Sequence, residues 1–247
     1  MLRELLSVFK QDSKLDQAYE ESYEMLSLTR DMYLKSRKSL RESNNVDLDN
    51  EVFSMDKRVN KFEKNVRRSV LQHLSVRGTQ DLSSGLILVS VIIDIERIGD
   101  YTKNIIDLAA NHPGRLEGGE MERDLQRIEG AVEDIFKRLI NCLKNGGNEK
   151  EAEAILKEYF WVNPVCDQMV NNLIKESYPD LSSGEAVTLA MYFRYLKRIS
   201  AHLQNITTSL TNPFHKIGFV PKRIKKGPPE AGGSPDSENE EEREVDL

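Results

Sequence analysis

The first 77 residues of this 247-residue chain contain neither glycine nor proline, and only 7% of all residues are aromatic. Long stretches without these residues are typical of helices, whereas a β-sandwich needs turn residues about every 8–12 positions. The sequence therefore predicts an all-α fold. Its two cysteines, Cys142 and Cys166, lack the spacing of a metal site, which favours a reducing compartment.

The chain also lacks long apolar runs. The best run, Leu86 to Ile93, contains Ser90 and ends at Asp94, well short of the 18 or so apolar residues of a membrane-spanning helix. We expect no signal peptide, because the chain does not start with a basic and then apolar segment. The net charge of −6 argues against general nucleic-acid binding. We therefore expect a cytoplasmic protein without a nucleic-acid partner.

Apolar residues recur at helical spacing between the glycine, proline and asparagine breakers. Six helices are predicted, at about 15–42, 47–76, 81–111, 121–144, 149–177 and 181–211. They form two sets of three, at 15–112 and 119–213. We expect Asn163-Pro164 to kink the fifth helix.

Two flanking segments differ from this helical part. Residues 1–14 place Leu2, Leu5, Leu6 and Phe9 on one face, which predicts a short amphipathic helix that caps the bundle or contacts a second copy. Weak membrane docking is the alternative. Residues 218–247 carry four prolines, four glycines and eight acids, and they predict a disordered charged tail.

The two sets of helices resemble copies of each other. The pentapeptide DLSSG occurs at 81–85 and again at 180–184, which is 99 positions later. Further along, Glu96-Arg97-Ile98 corresponds to Lys197-Arg198-Ile199 at a spacing of 101, so two residues must be absorbed near the start of the sixth helix. The pattern indicates an internal duplication and predicts two packed three-helix bundles.

The third helix carries an acidic face. Glu96 and Asp100 are i, i+4 neighbours, and two like charges in this position cost about 0.2–0.5 kcal/mol unless they are neutralised. An arginine or a hard cation held by oxygen ligands would neutralise them. Asp94 points elsewhere on the helix, within i, i+3 reach of Arg97. The spacing alone leaves a solvated acidic face and a metal site open.

The string ERIGD at 96–100, followed by Asn104-Ile105, resembles the signature of PhoU-domain proteins, which are bacterial regulators of phosphate uptake. The resemblance covers about residues 15–212 and implies a fold of two similar three-helix bundles. Each bundle of the family typically carries an acidic pattern on its second and third helices. In some members these acids bind iron or other divalent metals.

The family pattern transfers to the first unit residue by residue. Glu96 and Asp100 match the acidic pair of the third helix. On the second helix Asp56 matches the leading acid, and Asn60 stands where a second acid is expected. The resemblance therefore implies a divalent-metal site, for iron, zinc or magnesium, formed by Asp56, Asn60, Glu96 and Asp100.

The second unit has lost most of this acidic pattern. The residues at the matching positions are Asn163, Asp167, Lys197, Ala201, His202 and Asn205. Asp167 is the one acid among them, while His202 and Asn205 still fit the pattern. Since Lys197 stands where a metal ligand is expected, we hypothesise that it pairs with Asp167 in place of a metal.

The resemblance implies a non-catalytic regulator of phosphate transport or of phosphate-starvation signalling that acts by binding other proteins. The expected partners are the cytoplasmic face of a phosphate transporter, a sensor histidine kinase and a second copy of the chain. The protein would then be cytoplasmic or peripheral at the inner face of the membrane. No motif of an enzyme supports catalysis, since His-Glu-x-x-His and the phosphate-binding Gly-x-x-x-x-Gly-Lys are both absent.

Two alternatives remain open from the sequence. The first is an accessory subunit of a sodium- or proton-coupled phosphate transporter, because PhoU-like domains also accompany such carriers. The second is a metal-storage or di-iron bundle. The lost acids of the second unit argue against it, as does the absence of Glu-x-x-His, which di-iron carboxylate bundles use on two helices.

Overall fold

A computed structural model of the protein describes residues 14–43, 50–220 and 224. Every regular element in this part of the chain is a helix, which confirms the predicted all-α class. The predicted amphipathic segment 1–14 lies outside the described residues except for Lys14. The predicted tail 218–247 also lies outside them, except for residues 218–220 and Ile224, which is buried.

The described α-helices are α1 (Lys14–Glu42), α2 (Asn50–Arg77), α3 (Leu82–Asn111), α4 (Glu122–Lys144), α5 (Glu149–Tyr159), α6 (Val162–Ile174) and α7 (Ser183–Thr208). Short 3-10 turns occupy Gly78–Asp81, Gly119–Met121 and Phe214–Lys216. Helices α1, α2 and α3 pack as one bundle, and α4, the α5–α6 pair and α7 form the second. The bundles meet where α3 packs on α7 and α1 packs on α4.

None of the described helices is both long and apolar enough to cross a membrane.

The predicted continuous helix at 149–177 is wrong, because the chain forms two helices separated by Phe160 and Trp161. Proline lacks an amide hydrogen, and its ring clashes with the carbonyl group four residues earlier. Pro164 acts in this way on Phe160, so the interruption lies one turn before the predicted kink. Helix α6 ends at Ile174, and Glu176 then adopts a left-handed conformation with φ of 53°.

The two DLSSG copies occupy different positions at the starts of their helices. Helix α7 begins 101 positions after α3, so the offset of two residues lies in the connection before α7. In the second copy the Ser182 hydroxyl accepts a hydrogen bond from the Glu185 amide, and the Glu185 carboxylate accepts one from the Ser182 amide. In the first copy Asp81 instead lies 2.8 Å from His73 Nε2. The duplication and the unit boundaries 15–112 and 119–213 stay predictions.

A buried carboxylate joins three helices at the core between the bundles. The Tyr192 hydroxyl donates to Glu129 Oε1 over 2.7 Å, and the Tyr33 hydroxyl donates to the Glu129 carbonyl oxygen over 3.1 Å. Arg41 Nε lies 3.1 Å from the same carboxylate. Both tyrosines are fully buried, and the Tyr33 ring stacks on Phe136. Glu129 thus links α4 to α1 and α7.

Burial raises the pKa of the Glu129 carboxyl group, although Arg41 and the Tyr192 hydroxyl oppose this effect. The folded protein therefore favours the protonated form of Glu129 more than the unfolded chain does. This contribution to stability is complete below the ordinary carboxyl pKa. It is lost as the pH rises through the raised value.

We predict that Glu129→Gln and Glu129→Ala differ in stability. Glutamine keeps an acceptor for Tyr192 and removes the buried charge, so Glu129→Gln is expected to stay within about 1 kcal/mol of wild type at pH 7. Glu129→Ala leaves the tyrosine hydroxyl unpaired and is expected to lose about 2–4 kcal/mol. The measurement is urea denaturation of the three proteins between pH 5 and pH 8.

The stability of wild type relative to Glu129→Gln should fall across this range as the pH rises. A glutamine variant as unstable as the alanine variant, or a relative stability that rises with pH, would contradict a destabilising buried charge.

Candidate functional site

The residues of the predicted metal site lie on the facing sides of α2 and α3. Asn60 Nδ2 donates to Asp56 Oδ2 over 3.1 Å, one turn along α2. The ammonium group of Lys103 lies between Asp56 and Asp100. Its Nζ atom is 3.1 Å from Asp56 Oδ1 and 3.0 Å from Asp100 Oδ1. The structure therefore brings Asp56, Asn60 and Asp100 into one cluster, and Lys103 holds it together.

Lys103 was missed by the analysis of motifs, although a local signal was present. It follows Asp100 by three positions, which is a spacing that permits an ion pair on one helix face. The second contact, to Asp56 on α2, depends on how the helices pack and has no signature in the sequence.

Glu96 occupies the acidic face one turn before Asp100. Its carboxylate lies 3.7 Å from Arg97 Nε, and Arg97 also reaches Asp100 Oδ2 over 3.5 Å. Burial raises the pKa of Glu96, and the nearby negative charges of Asp100 and Glu63 raise it further. Arg97 and Lys103 act in the opposite direction. The folded protein therefore disfavours the charged form of Glu96.

The fit of this cluster to a metal ion depends on Lys103. Carboxylate and amide oxygens are suitable ligands for hard divalent cations. The ammonium group, however, already takes an oxygen of both Asp56 and Asp100, and a metal would have to displace it. In the part of the chain that the structure describes, no three His, Cys, Asp or Glu side chains are arranged to hold a metal. The residues as arranged do not fit a metal, and the predicted divalent-metal site stays a prediction.

The predicted pairing of Lys197 with Asp167 in the second unit is confirmed. Lys197 Nζ on α7 lies 2.5 Å from Asp167 Oδ2 on α6. Arg194 NH1 is 3.2 Å from the other oxygen of the same carboxylate. Two cationic groups of the chain therefore neutralise Asp167.

His202 and Asn205 do not take part in the acidic pattern of the second unit. His202 Nδ1 lies 2.7 Å from Asp94 Oδ1, and Asn205 Nδ2 donates to the same oxygen over 3.1 Å. Asp94 points away from the acidic face, as expected, and Arg97, which is within i, i+3 reach of it, contacts Glu96 and Asp100. Asp94 thus connects α3 of the first unit to α7 of the second.

An aromatic contact extends this polar connection. The Tyr101 ring on α3 stacks on His202 with centroids 5.8 Å apart and lies 6.0 Å from the Tyr195 ring. The three rings and the Asp94 carboxylate therefore lie along one contact between the units. The sequence gives no local sign of this contact, because its α3 members lie more than 90 positions from its α7 members.

We predict that Asp94→Ala destabilises the protein by about 1–3 kcal/mol, because His202 and Asn205 lose their shared acceptor. Asp107→Ala is the matched control, since it removes an exposed carboxylate from the same helix and is expected to change stability by less than about 0.5 kcal/mol. Both values come from denaturant unfolding at pH 7. Equal losses in the two variants would show that Asp94 does not hold the units together.

A comparison with known protein families supports the resemblance that the acidic motif indicates. The family model of the PhoU domain matches residues 22–109, which extend from α1 to α3 and contain the predicted site residues. This part of the chain is therefore similar to the PhoU domain. The match lies within the first unit, and its range includes the ERIGD string at 96–100. No curated protein sequence matches the chain significantly.

Two solved PhoU structures are similar in fold over 80% of this chain. PhoU from Pseudomonas aeruginosa is similar with a TM-score of 0.68 at 18% identity, over 80% of this chain and 95% of that one. The phosphate transport system regulatory protein PhoU from Streptococcus pneumoniae is similar with a TM-score of 0.66 at 15% identity, over 80% and 93%. At these identities the similarity shows the fold alone.

Proposed function

We propose that this protein regulates phosphate transport by binding other proteins rather than by catalysis. The observation that carries the proposal is the match of the PhoU domain to residues 22–109. The fold shared with the phosphate transport system regulatory protein PhoU from Streptococcus pneumoniae supports it. The partner we propose is the cytoplasmic face of a phosphate transporter, with a sensor histidine kinase as a second partner.

A regulator of this kind needs a surface on which to dock, and α2 offers one. Lys57, Lys61, Lys64 and Arg68 recur at i, i+4, i+7 and i+11 on its exposed side. We call these four residues the basic stripe. They stand out on a chain of net charge −6, and none of them forms an ion pair with another described residue.

The basic stripe continues into exposed apolar residues at the end of α2. Leu71 is 68% exposed, and Val76 is 85% exposed. A surface that combines unpaired cations with apolar side chains fits an acidic partner whose contact residues are partly apolar. We propose that the basic stripe faces acidic groups on the inner side of the transporter, which would place the protein at the inner face of the membrane.

The regulatory role is tested by deleting the gene and measuring uptake of radiolabelled phosphate and the polyphosphate content. We expect uptake to rise in phosphate-rich medium, because the family resemblance implies a negative effect on transport. Complementation with the wild-type gene should reverse the change. Unchanged uptake and unchanged polyphosphate in both rich and starved cells would reject the regulatory role.

The docking surface is tested separately by charge reversal. We predict that the quadruple variant K57E/K61E/K64E/R68E is retained on membranes that contain the transporter about tenfold less than wild type. The control variant K137E/K150E/K157E/K175E changes the charge equally, at exposed lysines of the second unit. Copurification of each protein with the membranes is the measurement. Equal retention of the two variants would exclude the basic stripe as the docking surface and leave the regulatory role intact.

A further inference from the structure

We infer that the Lys103 ammonium group takes the place of a divalent metal between Asp56 and Asp100, so that this cluster is complete without a bound metal. The family resemblance implies a metal at this site, but the residues that are present do not fit one. This disagreement leads to the inference. It is independent of the proposed function, because a regulator can dock with or without a metal.

The geometry of Lys103 is that of a cation shared by two carboxylates. Its Nζ atom lies 3.1 Å from Asp56 Oδ1 and 3.0 Å from Asp100 Oδ1, within the range of charge-assisted hydrogen bonds. The Lys103 side chain is 24% exposed and that of Asp56 is 13% exposed, so solvent screens the contacts only in part. Burial by itself would lower the pKa of Lys103, but hydrogen bonds to Asp100 and Asp56 raise it above the ordinary value.

The other oxygens of these carboxylates also have donors within the chain. Asp56 Oδ2 accepts from the Asn60 amide, and Asp100 Oδ2 lies 3.5 Å from Arg97 NH1. Both oxygens of each carboxylate therefore already contact a donor group. A divalent metal would have to break several of these contacts before it gained its own oxygen ligands.

The charges of the cluster are nearly balanced without a metal. Asp56, Glu96 and Asp100 carry three negative charges, and Lys103 and Arg97 supply two positive ones. A divalent cation added to this set would leave a net positive charge in a partly buried position, which is unfavourable. A divalent ion suits the three carboxylates better once the lysine is removed.

In the second unit, too, cationic side chains of the chain neutralise a carboxylate, but different residues do so. Asp167 on α6 contacts Lys197 and Arg194, which both lie on α7. Lys103, by contrast, follows Asp100 on the same helix. Because the two lysines come from different positions relative to their acids, the two units neutralise their carboxylates in different ways.

The inference is tested with purified wild type, Lys103→Ala and the double variant K103A/D100N. Lys137→Ala is the control for loss of a lysine, because Lys137 is exposed on α4. Thermal unfolding is measured in EDTA and in excess Mn²⁺, which is a hard cation that accepts oxygen ligands. Electron paramagnetic resonance of Mn²⁺ counts the ions bound to each chain.

We expect wild type to bind no Mn²⁺ and to unfold at the same temperature in EDTA and in Mn²⁺. Lys103→Ala should unfold about 3 °C lower than the Lys137→Ala control in EDTA. It should bind one Mn²⁺ and recover the lost stability in its presence. The double variant should neither bind the ion nor recover.

Three outcomes would overturn the inference. The first is wild type that binds one Mn²⁺ per chain and is stabilised by it. The second is Lys103→Ala that is as stable in EDTA as Lys137→Ala. The third is Lys103→Ala that is destabilised but neither binds Mn²⁺ nor recovers. If Lys103→Ala does not fold, Lys103→Gln, which keeps the side-chain length without the charge, is compared in the same way.

Discussion

The packing of α3 against α7 joins the two three-helix units, and the rest of the fold depends on it. Helix α3 also packs against α1 and α2 within its own unit, and α7 also packs against α4, α5 and α6, so both helices contribute to the internal cores as well as to the junction. The apolar contact is supplemented by one carboxylate, since Asp94 on α3 accepts hydrogen bonds from His202 and Asn205 on α7. A polar group in such a junction fixes the relative position of two helices more precisely than apolar contacts alone.

Three of the four acids on α3 lie in three different environments. Asp94 faces the second unit, Asp100 faces Lys103 and α2, and Glu96 lies between them beside Arg97. All three carboxylates lie within a few turns, and side chains of the chain itself supply their partners. The acidic string that marks the PhoU domain in this sequence is therefore satisfied within the molecule. The basic stripe on α2, in contrast, has no ion-pair partner among the residues that the structure describes.

Local features of this fold were accessible from the sequence, and long-range ones were not. The helices and most of their ends follow from apolar spacing and breakers, because these act within a few residues. The pairing of Lys197 with Asp167 followed from a charge change at one position of a known pattern. The partners of Asp94 lie more than 100 positions away, and the second contact of Lys103 depends on the packing of α2, so neither has a local signature. The helix interruption at Phe160 was misplaced by one turn because proline acts on the preceding turn rather than at its own position.

The neutralisation of the α3 acids by the chain's own side chains is tested most directly by anomalous diffraction from crystals of the wild-type protein grown with Mn²⁺. The expected result is no anomalous peak among Asp56, Glu96 and Asp100, with electron density for Lys103 Nζ within hydrogen-bond distance of Asp56 and Asp100. A strong anomalous peak ligated by these carboxylates, with the Lys103 side chain turned away from them, would contradict it.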